Sequence, residues 1–340
     1  MAESWRTTGD IHAEWNSIKR IVGKNLYLSA YCSKGHHNDM DMLEVGHLKG
    51  KVKTAFGKND PGLTTDEEAL HFGVWSIMSS PLLIGCDVRS IPEQTKALVT
   101  NPYLLAMSQN DLGVQAYVAQ RVGADGYVLV KDADERFGTA RYVALLNLSD
   151  GEMEFMVESK TLDLAGTVEV FDLLDRSDPG SFKDSFTIKV RPHAAHFYRF
   201  DAEKRLERTV YEAETAFLSC YQDLANPEKA GTAFPAGHAK ASGGMLVRFL
   251  GKRDANDLIW KEVKIDRGGK RTLVFRYSSP DDRRFFLQID GGEKIAVKTP
   301  PTRSNMNEVS VDVDLEPGVH SVRVSSPDAW GPDIDVMYIR

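Results

Sequence analysis

Residues 35–46 read GHHNDMDMLEVG and place two histidines and two aspartates within six positions. Imidazole nitrogens and carboxylate oxygens are common metal ligands, so a metal site is one interpretation of this segment. A carboxylate pair that does acid/base chemistry is a second interpretation, and a polar loop with hydrogen-bonded acids is a third. The spacing of the four residues matches neither a zinc nor a calcium template, which disfavours the metal site.

The composition is that of a globular protein with an acidic balance. The chain has 340 residues, of which 42% are hydrophobic and 27% charged, and its formal net charge is −7. This charge disfavours nucleic acid as a partner, because phosphate binding needs a basic face. No apolar run is long enough to cross a membrane, and no apolar leader follows Met1. Three widely spaced cysteines, Cys32, Cys86 and Cys220, indicate no disulfide framework.

Helix and strand signals alternate over residues 1–112 and predict an α/β segment with a parallel sheet. Apolar residues at helical spacing predict three helices, which begin after Asp10, at Thr64 or Thr65, and after Ser90. Two strands are predicted at 25–32 and 81–88, the second buried on both faces. Two parallel strands cannot close a barrel, so we expect this segment to be part of something larger.

The rest of the chain is predicted to be all-β. Short alternating runs recur through residues 113–201 and are separated by Gly, Asp, Ser and Pro, which is typical of an antiparallel β-sandwich. The charged residues 202–208 (AEKRLER) are predicted to form a linker. Eight further strand-like runs and no convincing helix predict a second all-β unit at 209–340.

Four motifs, in this order, resemble one enzyme family. They are WRTTGDI (5–11), NDMDMLEVG (38–46), HFGVWSIMSSPLLIGCDV (71–88) and NDLGVQ (110–115). Over residues 1–200 the chain closely resembles the second half of family 27 glycoside hydrolases, the α-galactosidases, which are retaining enzymes with a TIM barrel and a small β-sandwich. The resemblance implies an incomplete TIM barrel at 1–112, consisting of its last strands and helices only, and the sandwich at 113–201.

The resemblance also assigns roles to single residues. It implies that Asp10, the acid of W-R-x-x-x-D, is the general acid/base and that Arg6 contacts the substrate. Asp41 and Met42, in N-D-x-D-M-L, would bind the sugar, which makes residues 35–46 a sugar-binding loop rather than a metal site. The implied reaction is release of terminal α-galactosyl residues from a galactose-containing glycan. It needs two carboxyl groups about 5–5.5 Å apart, one as nucleophile and one as proton shuttle.

The implied nucleophile is an aspartate that follows lysine and tyrosine or phenylalanine at the end of the fourth barrel strand. No such motif precedes Asp10 in this sequence. We therefore expect an N-terminally truncated chain that is inactive by itself, or a split enzyme completed by an upstream half-barrel chain. A non-catalytic carbohydrate-binding remnant is the alternative. Within the family, α-N-acetylgalactosaminidase and β-L-arabinopyranosidase activities stay open.

Three features depart from the family pattern. His37 stands where the family usually has tryptophan, and Met40 stands where it has proline. The connection 47–62 is longer than its counterpart in the family and carries four lysines. It is predicted to be either a solvated loop or a segment that extends the wall at the mouth of the site. These departures bear on the details of substrate binding and leave the implied reaction class unchanged.

The C-terminal part resembles jelly-roll carbohydrate-binding modules of families 6 and 35 through YEAE (211–214), SGGMLV (242–247), FRYSS (275–279) and GPDIDVMYI (331–339). The resemblance implies a structural calcium held by Glu212, Glu214 and Asp335, with the two glutamates on one strand face. A solvated acidic face is the alternative. Trp330 would stack on a sugar, whereas Trp260 is predicted to lie in the core. Bacterial relatives with such modules are usually exported, so the resemblance implies a secreted or periplasmic full-length parent. No cofactor is expected for catalysis.

Overall fold

A computed structural model describes residues 3–49, 61–222, 227–303 and 305–340. The chain divides into two compact units, Met1–Leu206 and Glu207–Arg340, called here the first and the second unit. Most of the long lysine-bearing connection predicted after Gly46 lies outside the described residues. No helix in the described part of the chain is long and apolar enough to cross a membrane.

The first unit begins with a mainly helical part. Its two strands, β1 (Ser4–Arg6) and β2 (His37–Asp39), pair in parallel with Trp5 opposite Asn38. Four helices accompany them: α1 (Trp15–Asn25), α2 (Thr65–Ile77), α3 (Glu93–Val99) and α4 (Pro102–Ser108). These elements enclose an apolar core that also includes one face of the sandwich that follows.

Helix α2 begins where the sequence predicts. The Thr64 side chain accepts a hydrogen bond from the Glu67 backbone N–H, and the Glu67 carboxylate accepts one from the Thr64 N–H, so a capping box is complete. Ten of the thirteen residues of α2 are buried, which makes it the central helix of this part. A Cβ on Gly73 would overlap the Phe197 ring, so glycine is what lets α2 pack closely on the sandwich.

Both strands predicted in the α/β segment are wrong. Residues 25–32 instead complete α1 and form a 3₁₀ turn at Ser29–Tyr31. The Asn25 side-chain amide donates a hydrogen bond to the Ile21 carbonyl, and the Leu26 N–H donates to the Val22 carbonyl, so the helical hydrogen bonding continues to Leu26. Residues 81–88 make one parallel bridge, between Ile84 and Leu43. A parallel strand is buried only when neighbours cover it, and in the described structure Leu83 is 58% exposed.

The rest of the first unit is an antiparallel β-sandwich, as predicted. A six-stranded sheet in the order β3-β4-β5-β10-β7-β8 faces the pair β6–β9. The strands are β3 (Tyr117–Val122), β4 (Gly126–Asp132), β5 (Ala140–Asn147), β6 (Met153–Glu158), β7 (Leu164–Asp172), β8 (Ser177–Phe182), β9 (Ser185–Val190) and β10 (Ala194–Arg205). Val128, Phe155 and Phe200 come from both sheets and share one core. Residues 202–205, the start of the predicted linker, extend β10.

The second unit is built from two antiparallel sheets. One has the order β13-β14-β21-β16-β19 with β11 added to β21, and the other the order β12-β15-β20-β17-β18. A short helix, α5 (Pro227–Ala230), accompanies the strands β11 (Val210–Glu212), β12 (Phe217–Leu218), β13 (Phe234–Gly237), β14 (Met245–Arg248), β15 (Leu258–Ile265), β16 (Gly269–Ser278), β17 (Arg283–Ile289), β18 (Ile295–Thr299), β19 (Asn307–Leu315), β20 (Gly318–Ser325) and β21 (Asp333–Ile339). Trp260, Phe275 and Phe285 pack between the sheets, so Trp260 lies in the core as predicted.

One lysine is buried where the sandwich meets the helical part of the first unit. Lys131 of β4 is 2% exposed, and its Nζ donates a hydrogen bond of 2.8 Å to Ser79 Oγ. That hydroxyl in turn donates to the Val114 carbonyl oxygen at 2.8 Å. Burial lowers the pKa of Lys131 to about 7, and the nearby Cys32 thiol acts weakly against this shift. Burying an ammonium group with one neutral partner costs stability.

The Lys131→Met substitution is expected to stabilise the protein at pH 7 and to change how stability depends on pH. The lysine pKa is about 7 in the folded chain and 10.5 unperturbed, so the unfolded state binds more protons between these values. Stability of the parent chain therefore rises with pH across that window, by up to about 1.4 kcal/mol per pH unit, and is lost as the pH falls towards 7.

Urea denaturation at several pH values measures both effects. Lys160→Met, an exposed control, should follow the parent. Parallel curves for Lys131→Met and the parent would contradict the assignment.

Candidate active site

The parallel pairing of β1 and β2 brings two acidic motifs to one edge of the sheet. Arg6, the last residue of β1, lies opposite Asp39, the last residue of β2. The Thr7 N–H and hydroxyl both donate to the Asp39 carbonyl, at 3.0 and 3.1 Å, which extends the pairing. Asp10 and Asp41 follow directly after these strand ends. The carboxyl ends of neighbouring parallel strands are where α/β proteins place their sites.

The Arg6 guanidinium bridges the two predicted acids. Its Nη2 lies 2.6 Å from Asp41 Oδ2 and 3.3 Å from Asp10 Oδ1. Because one nitrogen makes both contacts, the two carboxylate oxygens are no farther apart than the sum of these distances. Arg6 therefore holds a buried and an exposed carboxylate side by side, which is a geometry suited to gripping a polyhydroxylated substrate.

Asp41 is a fixed acceptor. It is 6% exposed, and its Oδ2 also accepts the Ile11 N–H at 2.7 Å while its Oδ1 accepts the Met42 N–H at 2.8 Å. Its φ of +80° is uncommon for a residue with a side chain. The Trp75 indole N–H donates to its carbonyl at 2.8 Å and the Asp39 carboxylate accepts its N–H at 2.8 Å, so both hold this conformation.

Asp10 has the opposite environment. Its side chain is 90% exposed, and its position is set through the backbone, whose carbonyl accepts a hydrogen bond from Arg20 Nη2 at 3.0 Å. Two partly exposed apolar side chains lie in the same motifs, Met42 at 39% and Trp5 at 38%. The site thus offers one exposed carboxylate, one buried and hydrogen-bonded carboxylate, and apolar side chains suited to the face of a sugar ring.

Buried amides support the loop from behind. Asn38 is 1% exposed and donates to the Gln115 side-chain oxygen at 2.7 Å and to the Leu28 carbonyl at 2.9 Å. Gln115 in turn donates to the Asn25 carbonyl at 2.7 Å, and Ser80 Oγ accepts the Met40 N–H at 3.0 Å. No local pattern in the sequence indicates a supporting role for Asn38, Ser80, Gln115 or Trp75, although all four lie in the quoted motifs.

Two of the departures from the family pattern, His37 and Met40, lie in the loop of this site. Met40 is fully buried, and His37 is half-buried with Nδ1 3.9 Å from Cys32 Sγ. His71 is the acceptor for the Glu44 N–H at 3.0 Å, and burial lowers its pKa to about 3, so it is a neutral structural residue. In the part of the chain that the structure describes, no three acids, histidines or cysteines are grouped as a metal site.

The three acids predicted to hold calcium in the second unit converge on one loop. Ser242 donates from its hydroxyl to Glu212 Oε1 at 2.6 Å and from its N–H to Asp335 Oδ1 at 2.8 Å. A Cβ on the next residue, Gly243, would lie 3.5 Å from Glu214 Oε1. The predicted strand face is wrong for Glu214, because β11 ends at Glu212 and a 3₁₀ turn over Ala213–Thr215 carries Glu214.

Burial and charge act together on this acidic group. Asp335 is fully buried and its Oδ2 pairs with Arg276 Nη1 at 2.9 Å. Burial raises the pKa of Asp335 to about 7, the Arg276 charge lowers it in part, and the Glu212 charge raises it further. Glu212 Oε2 is buried without a hydrogen-bond partner. Such an oxygen is a hard donor of the type that calcium prefers, but the three acids are not arranged as a metal site in the described residues.

Trp330, the predicted sugar-stacking residue, already has neighbours on its ring. The Lys252 Nζ lies 4.6 Å from the ring centre, and the Phe249 ring meets it edge-on with centres 5.5 Å apart. The side chain is half-buried. A sugar ring that stacks on the covered face would therefore have to displace the lysine ammonium.

Two family models match the first unit: α-galactosidase A over residues 1–110, and the α-galactosidase C-terminal β-sandwich domain over residues 129–200. An α-galactosidase from Oryza sativa subsp. japonica is 34% identical over 200 residues, which are 58% of this chain and 44% of that protein. Over residues 1–200 this chain is thus α-galactosidase-like. The resemblance stated from the motifs is confirmed for this part.

Other members of the family show the same partial coverage. Alpha-galactosidase 2 of Arabidopsis thaliana is 30% identical over 210 residues, covering 60% of this chain and 48% of that protein. Among solved structures, a GH27 β-L-arabinopyranosidase from Geobacillus stearothermophilus is 26% identical, with a TM-score of 0.53. The match covers 59% of this chain and 45% of the arabinopyranosidase chain. The chain spans about half the length of these family members.

Proposed function

We propose that the chain carries the acid/base part of a retaining glycosidase that releases terminal α-galactosyl residues from oligosaccharides or polysaccharides. The observation that carries this proposal is the Arg6 bridge, which holds exposed Asp10 beside fixed Asp41 at the carboxyl ends of two parallel strands. The similarity of residues 1–200 to α-galactosidases supports it.

The environments of the two acids divide the work between them. Asp10, whose side chain is exposed, is suited to give a proton to the leaving oxygen and later to take one from water. Asp41, whose oxygens already accept three hydrogen bonds, keeps room to accept one from a sugar hydroxyl. Met42, beside it, packs against the sugar. Arg6 orients Asp10 and contacts the substrate.

Asp41 is a poor candidate for the second catalytic carboxyl group. A nucleophile must present an oxygen to the anomeric carbon, and Asp41 is 6% exposed with both oxygens engaged. We therefore propose that the nucleophile comes from outside these 340 residues, on an upstream half-barrel. Residues 1–112 would then supply the last strands and helices of a (β/α)8 barrel, followed by the sandwich at 113–201, and the chain by itself would be inactive.

The function is tested with p-nitrophenyl glycosides of α-galactose, α-N-acetylgalactosamine and β-L-arabinopyranose. The chain is assayed alone and after co-expression with the segment of the Oryza sativa relative that precedes the matched region. We expect no release by the chain alone, and release from the α-galactoside by the co-expressed pair. If the pair preferred the arabinopyranoside, the activity would instead be that of a β-L-arabinopyranosidase, as in the Geobacillus protein. A stable but silent pair would favour the carbohydrate-binding remnant.

We propose that the second unit, Glu207–Arg340, is a jelly-roll carbohydrate-binding module. Its two antiparallel sheets with a shared aromatic core support this assignment. Trp330, with Lys252 beside its ring, is the proposed contact to the glycan. Glu212, Glu214 and Asp335, gathered around the 242–243 loop, would hold a structural calcium that neutralises buried carboxylates.

Calcium is expected to raise the Tm of the chain by about 5 °C or more at millimolar concentration, because it binds the folded state only. Differential scanning calorimetry with Ca²⁺ and with EDTA measures the shift. Glu212→Gln should abolish it, since that residue loses the carboxylate charge at the proposed site. Glu308→Gln, at an exposed ion pair with Arg340, should respond to calcium as the parent does. An unchanged Tm in the parent chain would overturn the calcium proposal. The Arg276 guanidinium would then be the group that neutralises the buried Asp335 carboxylate.

A further inference from the structure

A cavity of about 550 Å³ lies in the first unit, between helices α2 and α3 and the sandwich. Side chains from 65–69 in α2 and 94–98 in α3 contribute to its lining. The sandwich contributes side chains from 174–176, between β7 and β8, and from 191–196, where the chain turns from β9 into β10. The volume is in the range of small-ligand sites. The cavity shares no residue with the candidate active site, so it is a separate feature of the molecule.

The apolar part of the lining consists mostly of small side chains. They are four alanines and two leucines: Ala69, Ala97, Ala194, Ala195, Leu98 and Leu174. Protein interiors are otherwise close-packed, and an alanine methyl fills little of the space between neighbouring elements. The four alanines therefore leave the cavity open and give it an apolar surface against which the C–H groups of a ligand can pack.

Two arginines of the lining are held in place by other parts of the same cavity. The Arg191 Nη2 donates to Asp66 Oδ1 at 2.7 Å, and the Arg176 Nη2 donates to the Ala97 carbonyl at 3.3 Å. A guanidinium has five N–H donors, so each arginine keeps donors for a ligand after these contacts. The polar part of the lining is therefore positioned before any ligand binds.

The charges of the lining nearly balance. Two guanidinium groups face three carboxyl groups, and these charged residues are Arg176, Arg191, Asp66, Glu68 and Asp175. A phosphate or another anion binds where positive charge is in excess, so this lining does not suit an anion. A purely apolar ligand would leave the charged groups without partners. The lining therefore suits a neutral ligand that both donates and accepts hydrogen bonds.

We propose that this cavity binds a neutral sugar and is a glycan-binding site separate from Asp10. Sugar hydroxyls donate and accept, so one ring can use N–H groups of Arg176 and Arg191 together with Asp66 Oδ2. The Gln94 side-chain amide supplies a further donor and acceptor. The proposal does not rest on the proposed function, because acid/base chemistry at Asp10 requires no ligand in this cavity.

The test is an NMR titration of the intact chain with ¹³C-labelled alanine methyl groups, because four alanines report on the cavity directly. The neutral titrants are methyl α-D-galactopyranoside and methyl α-D-glucopyranoside, and the anionic titrants are D-galacturonate and inorganic phosphate. We expect saturable shifts of the four cavity methyls with a neutral sugar, at a Kd of about 1–10 mM. Ala213 and Ala233, in the second unit, distinguish this site from binding near Trp330.

Two substitutions test whether the polar lining makes the contacts. Gln94→Ala and Arg191→Ala should each raise the Kd at least about fivefold, because each removes hydrogen bonds to the sugar. Both side chains are exposed in the sugar-free chain, so the fold should persist, and the dispersion of the methyl spectrum checks this. Arg89→Ala is the control, because Arg89 is an exposed arginine of the same unit that pairs with Asp87. It should bind the sugar as the parent does.

The outcomes separate this site from the proposed function. Saturable shifts of the cavity methyls that weaken in Gln94→Ala support the site, even if the co-expressed pair hydrolyses no glycoside. Three results would each overturn the inference. They are no shift of these methyls with either neutral sugar up to about 100 mM, tighter binding of an anion than of both neutral sugars, and a Kd unchanged in both variants.

Discussion

Asp10→Asn is expected to lower kcat/KM for an aryl α-galactoside with a poor leaving group by about 10²–10⁴-fold in the completed enzyme. The amide cannot give a proton to the departing oxygen. The side chain keeps its size and stays within reach of Arg6, which contacts its Oδ1 at 3.3 Å. Steady-state kinetics of the co-expressed pair on p-methylphenyl α-galactoside measures the loss.

The dependence on the leaving group distinguishes proton donation from a structural role. A 2,4-dinitrophenolate leaves without protonation, so the loss of kcat/KM on that substrate should be less than about tenfold. Asp87→Asn is a matched control, because Asp87 is an exposed acid that binds Arg89 two residues away. It should behave as the parent does on both substrates. Equal losses for Asp10→Asn on both substrates would contradict the acid/base assignment.

Asp41→Asn is expected to lower the free energy of unfolding by about 2–3 kcal/mol. The carboxylate accepts the Ile11 and Met42 N–H groups at 2.7 and 2.8 Å, and an amide has one oxygen with which to replace both. The ion pair with Arg6 adds little, since that guanidinium is 40% exposed. Asparagine tolerates positive φ well, so the backbone at +80° adds no strain of its own.

Urea denaturation measures this loss, with Asp87→Asn again as the control. Asp87 is 49% exposed, and its replacement should leave the free energy of unfolding close to that of the parent. If Asp41→Asn were as stable as the control, Asp41 would not be the residue that fixes the 35–46 loop.

Local signals in the sequence predicted part of the fold. The helix that starts at Thr65 was found because its capping box lies within four residues. The eight strands predicted in the second unit all occur. Alternating apolar and polar residues indicate a strand with one buried and one exposed face, and this signal is local in the sequence. Residues 25–32 and 81–88 were mistaken for strands, because an apolar run does not tell which neighbours will pair with it. For 81–88 the described structure supplies one neighbour, at Leu43.

The site was predicted through its motifs, and its supporting residues were not. Arg6, Asp10 and Asp41 lie in recognisable patterns, and the structure brings the three together. Trp75 and Gln115 act through hydrogen bonds to atoms 34 or more residues away along the chain. Spacing in the sequence carries no signal for contacts of that range. The Arg6 guanidinium contacts both acids because of the register of β1 on β2. No local pattern in the sequence specifies that register.

The most direct test of this account is the hydrolysis of p-nitrophenyl α-galactoside by the purified chain, alone and as the co-expressed pair. The account predicts no release by the chain alone, release by the pair, and loss of that release in the Asp10→Asn pair. Hydrolysis by the chain alone would contradict the claim that the nucleophile lies outside these 340 residues. Hydrolysis by the Asp10→Asn pair at the parent rate would contradict the role of Asp10.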